Sequence, residues 1–163
     1  MKAIFLLFFV IAAYCIAVNG SPIDEIPKGI SNYKLGRLDD LRKVASQVKA
    51  MGLTPDELSE LQKIIMSNLK PNATVLTLEN KDPNYILAYG GITIDFESGK
   101  EADYKFLNRT GKAMYIVNGN KITGTNTLDN GAVTELEYIF NGREASVNRK
   151  TTTGVSEIKL VQK

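Results

Sequence analysis

A run of short β-strand patterns fills the chain after Pro71 and constrains the fold most strongly. Nine segments are rich in β-branched or aromatic residues, and Ile92–Glu97 alternates apolar and polar positions without a break. Asn-Gly pairs begin at Asn118, Asn130 and Asn141, and each predicts a type I′ hairpin turn. Sequential hairpins predict an antiparallel meander, which removes its exposed edges by closing into a barrel. The nine predicted strands are Thr74–Glu79, Tyr85–Tyr89, Ile92–Glu97, Ala102–Leu107, Ala113–Val117, Lys121–Leu128, Ala132–Phe140, Glu144–Thr151 and Glu157–Gln162.

One strand and two helices precede this run. The strand is predicted over residues 32–37, and Asp39 then suits the N-cap of a helix that Gly52 ends. Thr54 begins a second helix, with proline next and glutamate three residues on, and Pro71 closes it. Both helices are amphipathic, so they predict a helix–turn–helix hairpin. The apolar stripes are Leu41, Val44, Val48 and Met51 in the first helix, and Leu58, Leu61, Ile64, Ile65 and Leu69 in the second.

The N-terminus predicts a secreted, extracellular protein. An apolar run over residues 4–18 follows Lys2, which is typical of a signal peptide spanning 1–20. A signal anchor is the rival interpretation, although the run is shorter than the roughly 20 residues that span a bilayer. Cys15 would leave with the signal peptide, so the mature chain would contain no disulfide. Residues 21–29 are then a loose lead-in to the domain at 30–163.

The composition excludes much catalytic chemistry. The chain has no His and one Cys, so it lacks the residues for histidine or cysteine catalysis and for a zinc site. No cofactor is expected. With 20 basic and 18 acidic residues, the charge is too balanced to indicate a nucleic-acid partner. Glu135 and Glu137 share one strand face, which a solvated surface explains better than acid–base catalysis. We therefore expect no enzyme, and sequons predict glycosylation at Asn72 and Asn108.

Several segments resemble the fatty-acid-binding protein family over residues 30 to 163. Asn32-Tyr33-Lys34-Leu35 resembles the first strand of the family. Asp39-Asp40-Leu41 resembles the start of its first helix, and Ala50-Met51-Gly52 matches a motif that follows. Phe96–Glu101 resembles one of its hairpins. The resemblance implies a ten-stranded antiparallel up-and-down β-barrel, a clamshell with a helix–turn–helix lid after the first strand. It also implies a monomeric, non-covalent carrier of fatty acids, retinoids or similar lipids, without stable membrane insertion.

The family's carboxylate anchor is changed in this sequence. Its Arg-x-Tyr pair falls on Lys159-Leu160-Val161 and its second arginine on Glu137, so a ligand more neutral or more hydrophobic than a simple fatty acid is expected. Two registers remain open. The family register points Glu137 and Lys159 inward, and a one-residue slip would turn apolar residues inward instead. We therefore predict ligand-binding residues from the lid and from both registers: Val44, Val48, Met51, Leu61, Leu136, Glu137, Tyr138, Ile158, Lys159, Leu160 and Val161.

The sequence thus predicts a secreted carrier for a small hydrophobic ligand. The alternative is a secreted interaction, protective or matrix protein of the same fold that has lost ligand binding. A lipocalin is disfavoured because the chain has no Trp for the usual Gly-x-Trp opening, and because the helices follow the first strand.

Overall fold

A computed structural model of the chain describes residues 25–37 and 48–163. Ten antiparallel strands dominate it, with one turn of 3₁₀ helix and one α-helix between the first two strands. In chain order the elements are β1 (Gly29–Leu35), the 3₁₀ turn (Val48–Met51), α1 (Pro55–Asn68), β2 (Leu76–Lys81), β3 (Asn84–Tyr89), β4 (Ile92–Glu97), β5 (Glu101–Phe106), β6 (Arg109–Asn118), β7 (Lys121–Leu128), β8 (Val133–Asn141), β9 (Glu144–Thr151) and β10 (Gly154–Gln162).

The strands form a nearly closed barrel. Each strand pairs with its neighbour in sequence, and β1 also pairs with β10, through Leu35 opposite Leu160 for example. Only β4 and β5 lack a ladder between them within the described chain. At one end of this gap the Gly99 amide donates to the Tyr115 carbonyl at 2.8 Å. The predicted ten-stranded antiparallel barrel is therefore confirmed.

The helical part of the prediction is confirmed for one helix. In α1, the Thr54 amide donates to Glu57 Oε2 at 2.7 Å, and the Glu57 amide donates to Thr54 Oγ1 at 3.3 Å. These two bonds are the predicted capping box. The predicted first helix falls largely on residues 38–47, outside the described residues, and Val48–Met51 form a single 3₁₀ turn. The described residues thus do not give a clear helix–turn–helix. No helix in the described ranges is long and apolar enough to cross a membrane.

Two of the Asn-Gly hairpins turn one residue later than predicted. Asn118 pairs with Lys121, so the two turn residues are Gly119 and Asn120. Gly119 has a φ of 57°, whereas Asn120 does not have a positive φ. Glycine supplies the one left-handed position that this turn requires, so the asparagine remains in the strand and the type I′ assignment was wrong. The same shift occurs after Asn141.

The barrel has the apolar-inward register. Leu136, Tyr138, Phe140, Val147 and Ile158 are buried. Intervening residues on these strands are exposed or only half-buried, as period-two alternation requires. The lead-in is also partly packed against the barrel, because the Ile26 side chain is buried.

Two inward tyrosines are held over glycines on neighbouring strands. Tyr104 lies opposite Gly111, and Tyr115 lies opposite Gly124. A Cβ atom at either glycine would overlap the tyrosine ring. These glycines therefore allow the rings to lie across the inner sheet surface, where they form part of the cavity wall.

Replacing Gly124 with alanine tests this arrangement. A Cβ there would collide with the Tyr115 ring and with the Met114 carbonyl oxygen, so we expect Gly124→Ala to lower the free energy of unfolding by about 2 kcal/mol. Urea denaturation measures the change. Thr123→Ala and Thr125→Ala, on the outward face of the same strand, serve as controls and should have little effect. Equal effects at all three positions would contradict the overlap argument.

Candidate functional site

A cavity lies between the barrel and the helical segment above it. The barrel wall contributes Leu87, Ile94 and Leu136, and the 3₁₀ turn and α1 contribute Val48 and Leu61. The space open to the centres of water-sized spheres is about 80 Å³. Such a space holds only a few water molecules. The cavity in this conformation is therefore small, and most of the side chains that line it are apolar.

One cationic side chain, Arg149, points into the cavity. It lies on β9, two residues beyond the buried Val147, and it follows the inward parity of that strand. Its Nε is buried and has no hydrogen-bond partner among the described residues. Its Nη2 donates to Met51 Sδ at 3.0 Å, and a thioether is a weak acceptor. None of the cavity-lining side chains in the described ranges is acidic, although Arg149 also borders an outer pocket that Glu135 and Glu137 line.

Tyrosines surround the guanidinium group. Arg149 interacts electrostatically with Tyr89, Tyr104 and Tyr138, whose side chains line the same cavity. The Tyr89 and Tyr138 rings meet edge to face at 5.9 Å between centroids. The Tyr115 hydroxyl donates to Asn126 Oδ1 at 2.8 Å. This cluster offers hydroxyl groups next to one positive charge, an arrangement suited to an oxygen-rich anionic group.

Burial sets the protonation states of these groups. Desolvation raises the pKa of Tyr89 to about 12, although the charge of Arg149 opposes the rise, and it raises the pKa of Tyr104 to about 12 as well. Desolvation also lowers the pKa of Arg149. Arginine nevertheless remains protonated in proteins. At neutral pH the cavity therefore contains neutral tyrosines and one guanidinium cation.

Arg109, at the start of β6, ties the helical segment to the barrel. Its Nε donates to Glu57 Oε1 at 2.8 Å, and its Nη2 donates to Glu57 Oε2 at 3.0 Å. The guanidinium also reaches Asp129 Oδ1 at 3.5 Å and the Gly52 carbonyl at 3.3 Å. The hydrogen bond from Arg109 is the main reason that the pKa of Glu57 is lowered. We call this set of contacts, from Arg109 to Glu57, Asp129 and Gly52, the latch.

The structure separates the predicted ligand-binding residues into three groups. Six line the cavity, namely Val48, Met51, Leu61, Leu136, Tyr138 and Ile158. Leu160 is buried in the core without lining the cavity, and Val44 lies outside the described residues. Glu137, Lys159 and Val161 lie on the outer face, since the apolar residues between them point inward.

Glu137 consequently forms contacts on the outside of the barrel. It accepts a hydrogen bond from Asn148 Nδ2 at 2.9 Å and lies 3.5 Å from Lys121 Nζ. The family register, which would have placed Glu137 and Lys159 inside, is therefore not the register of this chain.

Sequence reasoning did not identify Arg149. The family pattern indicates Glu137 and Lys159 as the anchor, and on β9 the two registers point either Ser146 and Asn148 or Ala145 and Val147 inward. Continuing the alternation from Ala145 and Val147 to residue 149 would have placed this arginine inside. The partnership of Glu57 with Arg109 also went unrecognised, because the two residues lie 52 positions apart in sequence.

Other site chemistry is limited to surface positions. No cluster of His, Cys, Asp and Glu suited to a metal ion occurs in the described part of the chain. Both predicted glycosylation asparagines are exposed. Asn108 lies in the two-residue turn between β5 and β6, next to Arg109 of the latch. Asn72 Oδ1 accepts a hydrogen bond from Lys34 Nζ at 2.9 Å.

Solved structures of other proteins share this architecture. The fatty-acid-binding protein of Manduca sexta superposes with a TM-score of 0.53 at 21% identity, covering 82% of this chain and 97% of its own. A secretory abundant heat soluble (SAHS) protein from Ramazzottius varieornatus gives 0.57 at 14% identity, covering 88% and 100%. Fatty-acid-binding protein 1 of Echinococcus granulosus gives 0.53 at 15% identity, covering 83% and 96%.

The chain therefore has the fatty-acid-binding protein fold, as a divergent example of it. No protein-family model matches the sequence, and no curated protein matches it.

Replacing Arg149 tests whether the buried charge serves stability. An unpaired buried cation opposes folding, so we expect Arg149→Met to raise the free energy of unfolding by about 1 kcal/mol or more. Urea denaturation measures this, with Arg143→Met in the exposed β8–β9 turn as the control. A loss of stability on Arg149→Met would instead show that the arginine is a structural residue.

The latch should contribute stability in a pH-dependent way. Because the folded-state pKa of Glu57 is below the ordinary 4.5, its stabilisation is fully present above pH 4.5 and is lost as pH falls through the lowered value. We expect Glu57→Gln to be less stable than the wild type at neutral pH, and the difference to shrink at about pH 3. Urea midpoints across this range measure it, with the exposed Glu60→Gln as the control. A constant difference would show that the charge is not responsible.

Proposed function

We propose that the protein binds a small amphiphilic ligand non-covalently, with the apolar body of the ligand in the barrel cavity and an anionic headgroup at Arg149. The observation that carries this proposal is the buried Nε of Arg149, which has no hydrogen-bond partner and no acidic side chain beside it among the described cavity-lining residues. A carboxylate, sulfonate or similar group would supply the missing acceptor. The fatty-acid-binding proteins of similar fold support the hydrophobic part of the assignment.

The energetics favour this combination of groups. Apolar ligand surface that moves from water into the cavity contributes about 25 cal/mol per Å². A hydrogen bond from a buried guanidinium to an anionic oxygen is charge-assisted and replaces the weak contact with Met51 Sδ. Arg149 supports an anionic headgroup, whereas the altered residues 137, 159 and 161 had favoured a more neutral or more hydrophobic ligand.

The carrier role is proposed to be extracellular. The predicted signal peptide at 1–20 and the exposed sequons at Asn72 and Asn108 support secretion, as does the likeness in fold to a protein named as secretory. In this role the protein would keep a poorly soluble anion in solution and transport it within the extracellular fluid.

A protective or interaction role without a bound ligand is the second candidate. The small cavity of about 80 Å³ and the likeness to an SAHS protein favour it. An organic extract of protein purified from its native source separates the two functions. A stoichiometric amphiphile in the extract supports carriage, whereas a clean extract supports the second candidate.

A matched pair of fluorescent probes tests the headgroup assignment. 1-Anilinonaphthalene-8-sulfonate and N-phenyl-1-naphthylamine share a ring system, but only the first carries an anionic group. We expect Arg149→Met to weaken binding of the sulfonate about tenfold or more, because the charge-assisted hydrogen bond is lost, and to leave the neutral probe bound as well as before. Fluorescence titration measures both affinities.

Arg143→Met is the control for these titrations, since it removes the same charge from an exposed turn. Equal weakening by both substitutions would indicate a general effect of net charge and would contradict the assignment of Arg149. Failure of the wild type to bind either probe would favour the second candidate function.

A further inference from the structure

The cavity is small, so admitting a ligand requires a movable element. Pockets that hold small-molecule ligands measure roughly 300–1,000 Å³, well above the space of about 80 Å³ found here. The barrel wall is held by almost continuous hydrogen-bond ladders. The segment from Val48 to Leu53, which comprises the 3₁₀ turn and two residues that follow it, belongs to no ladder. Like α1, it is therefore a part of the described cavity wall that can move without breaking a strand ladder.

Met51 in this segment occupies the binding surface of Arg149. Its side chain is buried, lines the cavity and accepts a hydrogen bond at its sulfur from Arg149 Nη2. Sulfur is a poor acceptor for a guanidinium, which binds anionic oxygen much more strongly. The Met51 sulfur is therefore a weak partner for the cation, and an anionic ligand oxygen would replace it favourably.

A small number of polar contacts hold Met51 in this position. The Met51 carbonyl accepts a hydrogen bond from Asn130 Nδ2 at 2.9 Å, and the adjacent Gly52 carbonyl accepts one from Arg109. Gly52 has a φ of 61°, a conformation that glycine adopts without strain, and it connects Met51 to the start of α1. Release of the latch would free the backbone on one side of Met51 while leaving the barrel ladders intact.

We infer that Met51 is an autoinhibitory plug, which covers Arg149 in the free protein and must be displaced, together with the Val48–Leu53 segment, before an anionic amphiphile can bind. The ligand part of this inference rests on the proposed function. The plug itself is a property of the free protein and is measurable without any ligand. Arg109 is a positioning residue, which sets how readily the plug opens.

Thiol labelling inside the cavity measures plug opening directly. Thr134 is buried and lines the cavity, and Cys15 is the only cysteine of the chain, so the Cys15→Ser/Thr134→Cys background has one thiol, which lies inside the cavity. Its reaction with 5,5′-dithiobis(2-nitrobenzoate) follows the opening rate or the open population. We expect Met51→Ala in this background to react about tenfold faster, and Arg109→Met to react faster as well.

Matched variants separate the plug from general loosening. Met51→Leu keeps the bulk but removes the sulfur acceptor, so we expect it to react faster than the parent and more slowly than Met51→Ala. Met66→Ala removes the same side chain from an exposed position on α1 and should react at the parental rate. Urea denaturation of each variant identifies any that react fast only because they are partly unfolded.

The outcomes decide the inference without reference to the ligand. Parental rates in both Met51→Ala and Met51→Leu would overturn it, and would direct attention to the unpaired gap between β4 and β5 as the route of access. Acceleration by Met66→Ala equal to that by Met51→Ala would also overturn it. If the thiol rates depend on Met51 while the wild type binds neither naphthalene probe, the plug stands and the proposed function fails.

Discussion

Alternation along the strands is the constraint on which this molecule depends. With a period of two, one choice of register sends every second side chain of ten strands inward. In this chain the choice gathers Leu136, Tyr138, Val147 and Ile158 inside, and apolar burial of that extent stabilises the register by many kcal/mol. The same choice forces Arg149 inward, because it follows Val147 by two residues. The buried cation is thus a consequence of the register that forms the core.

The two arginines near the cavity have opposite environments. Arg109 is partly exposed and satisfied by Glu57, Asp129 and a backbone carbonyl, so it joins the helical segment to the barrel with favourable electrostatics. Arg149 is also only partly exposed, but its buried Nε has no hydrogen-bond partner among the described residues, and its Nη2 donates to a sulfur atom. A charge in the first situation stabilises a fold, whereas a charge in the second opposes folding unless an acceptor compensates it.

Local signals in the sequence predicted most of the fold. The strand Ile92–Glu97 has the predicted bounds because strict alternation is a local pattern. The capping box at Thr54 follows from four adjacent residues. The site was predicted only in its apolar part. Arg149 was missed because positions were counted from the family's anchor instead of along β9. The Arg109–Glu57 pair joins distant elements, and no local pattern specifies such a pair.

The fold alone does not select between carriage and a structural role, since fatty-acid-binding and SAHS proteins superpose on it about equally well. The interior does discriminate. A barrel whose cavity served stability alone would be more stable with an apolar side chain at residue 149, because desolvating an unpaired guanidinium opposes folding. An anion bound at that position would remove the penalty and convert it into affinity. The placement of the arginine is therefore the physical reason for proposing that the cavity binds a ligand.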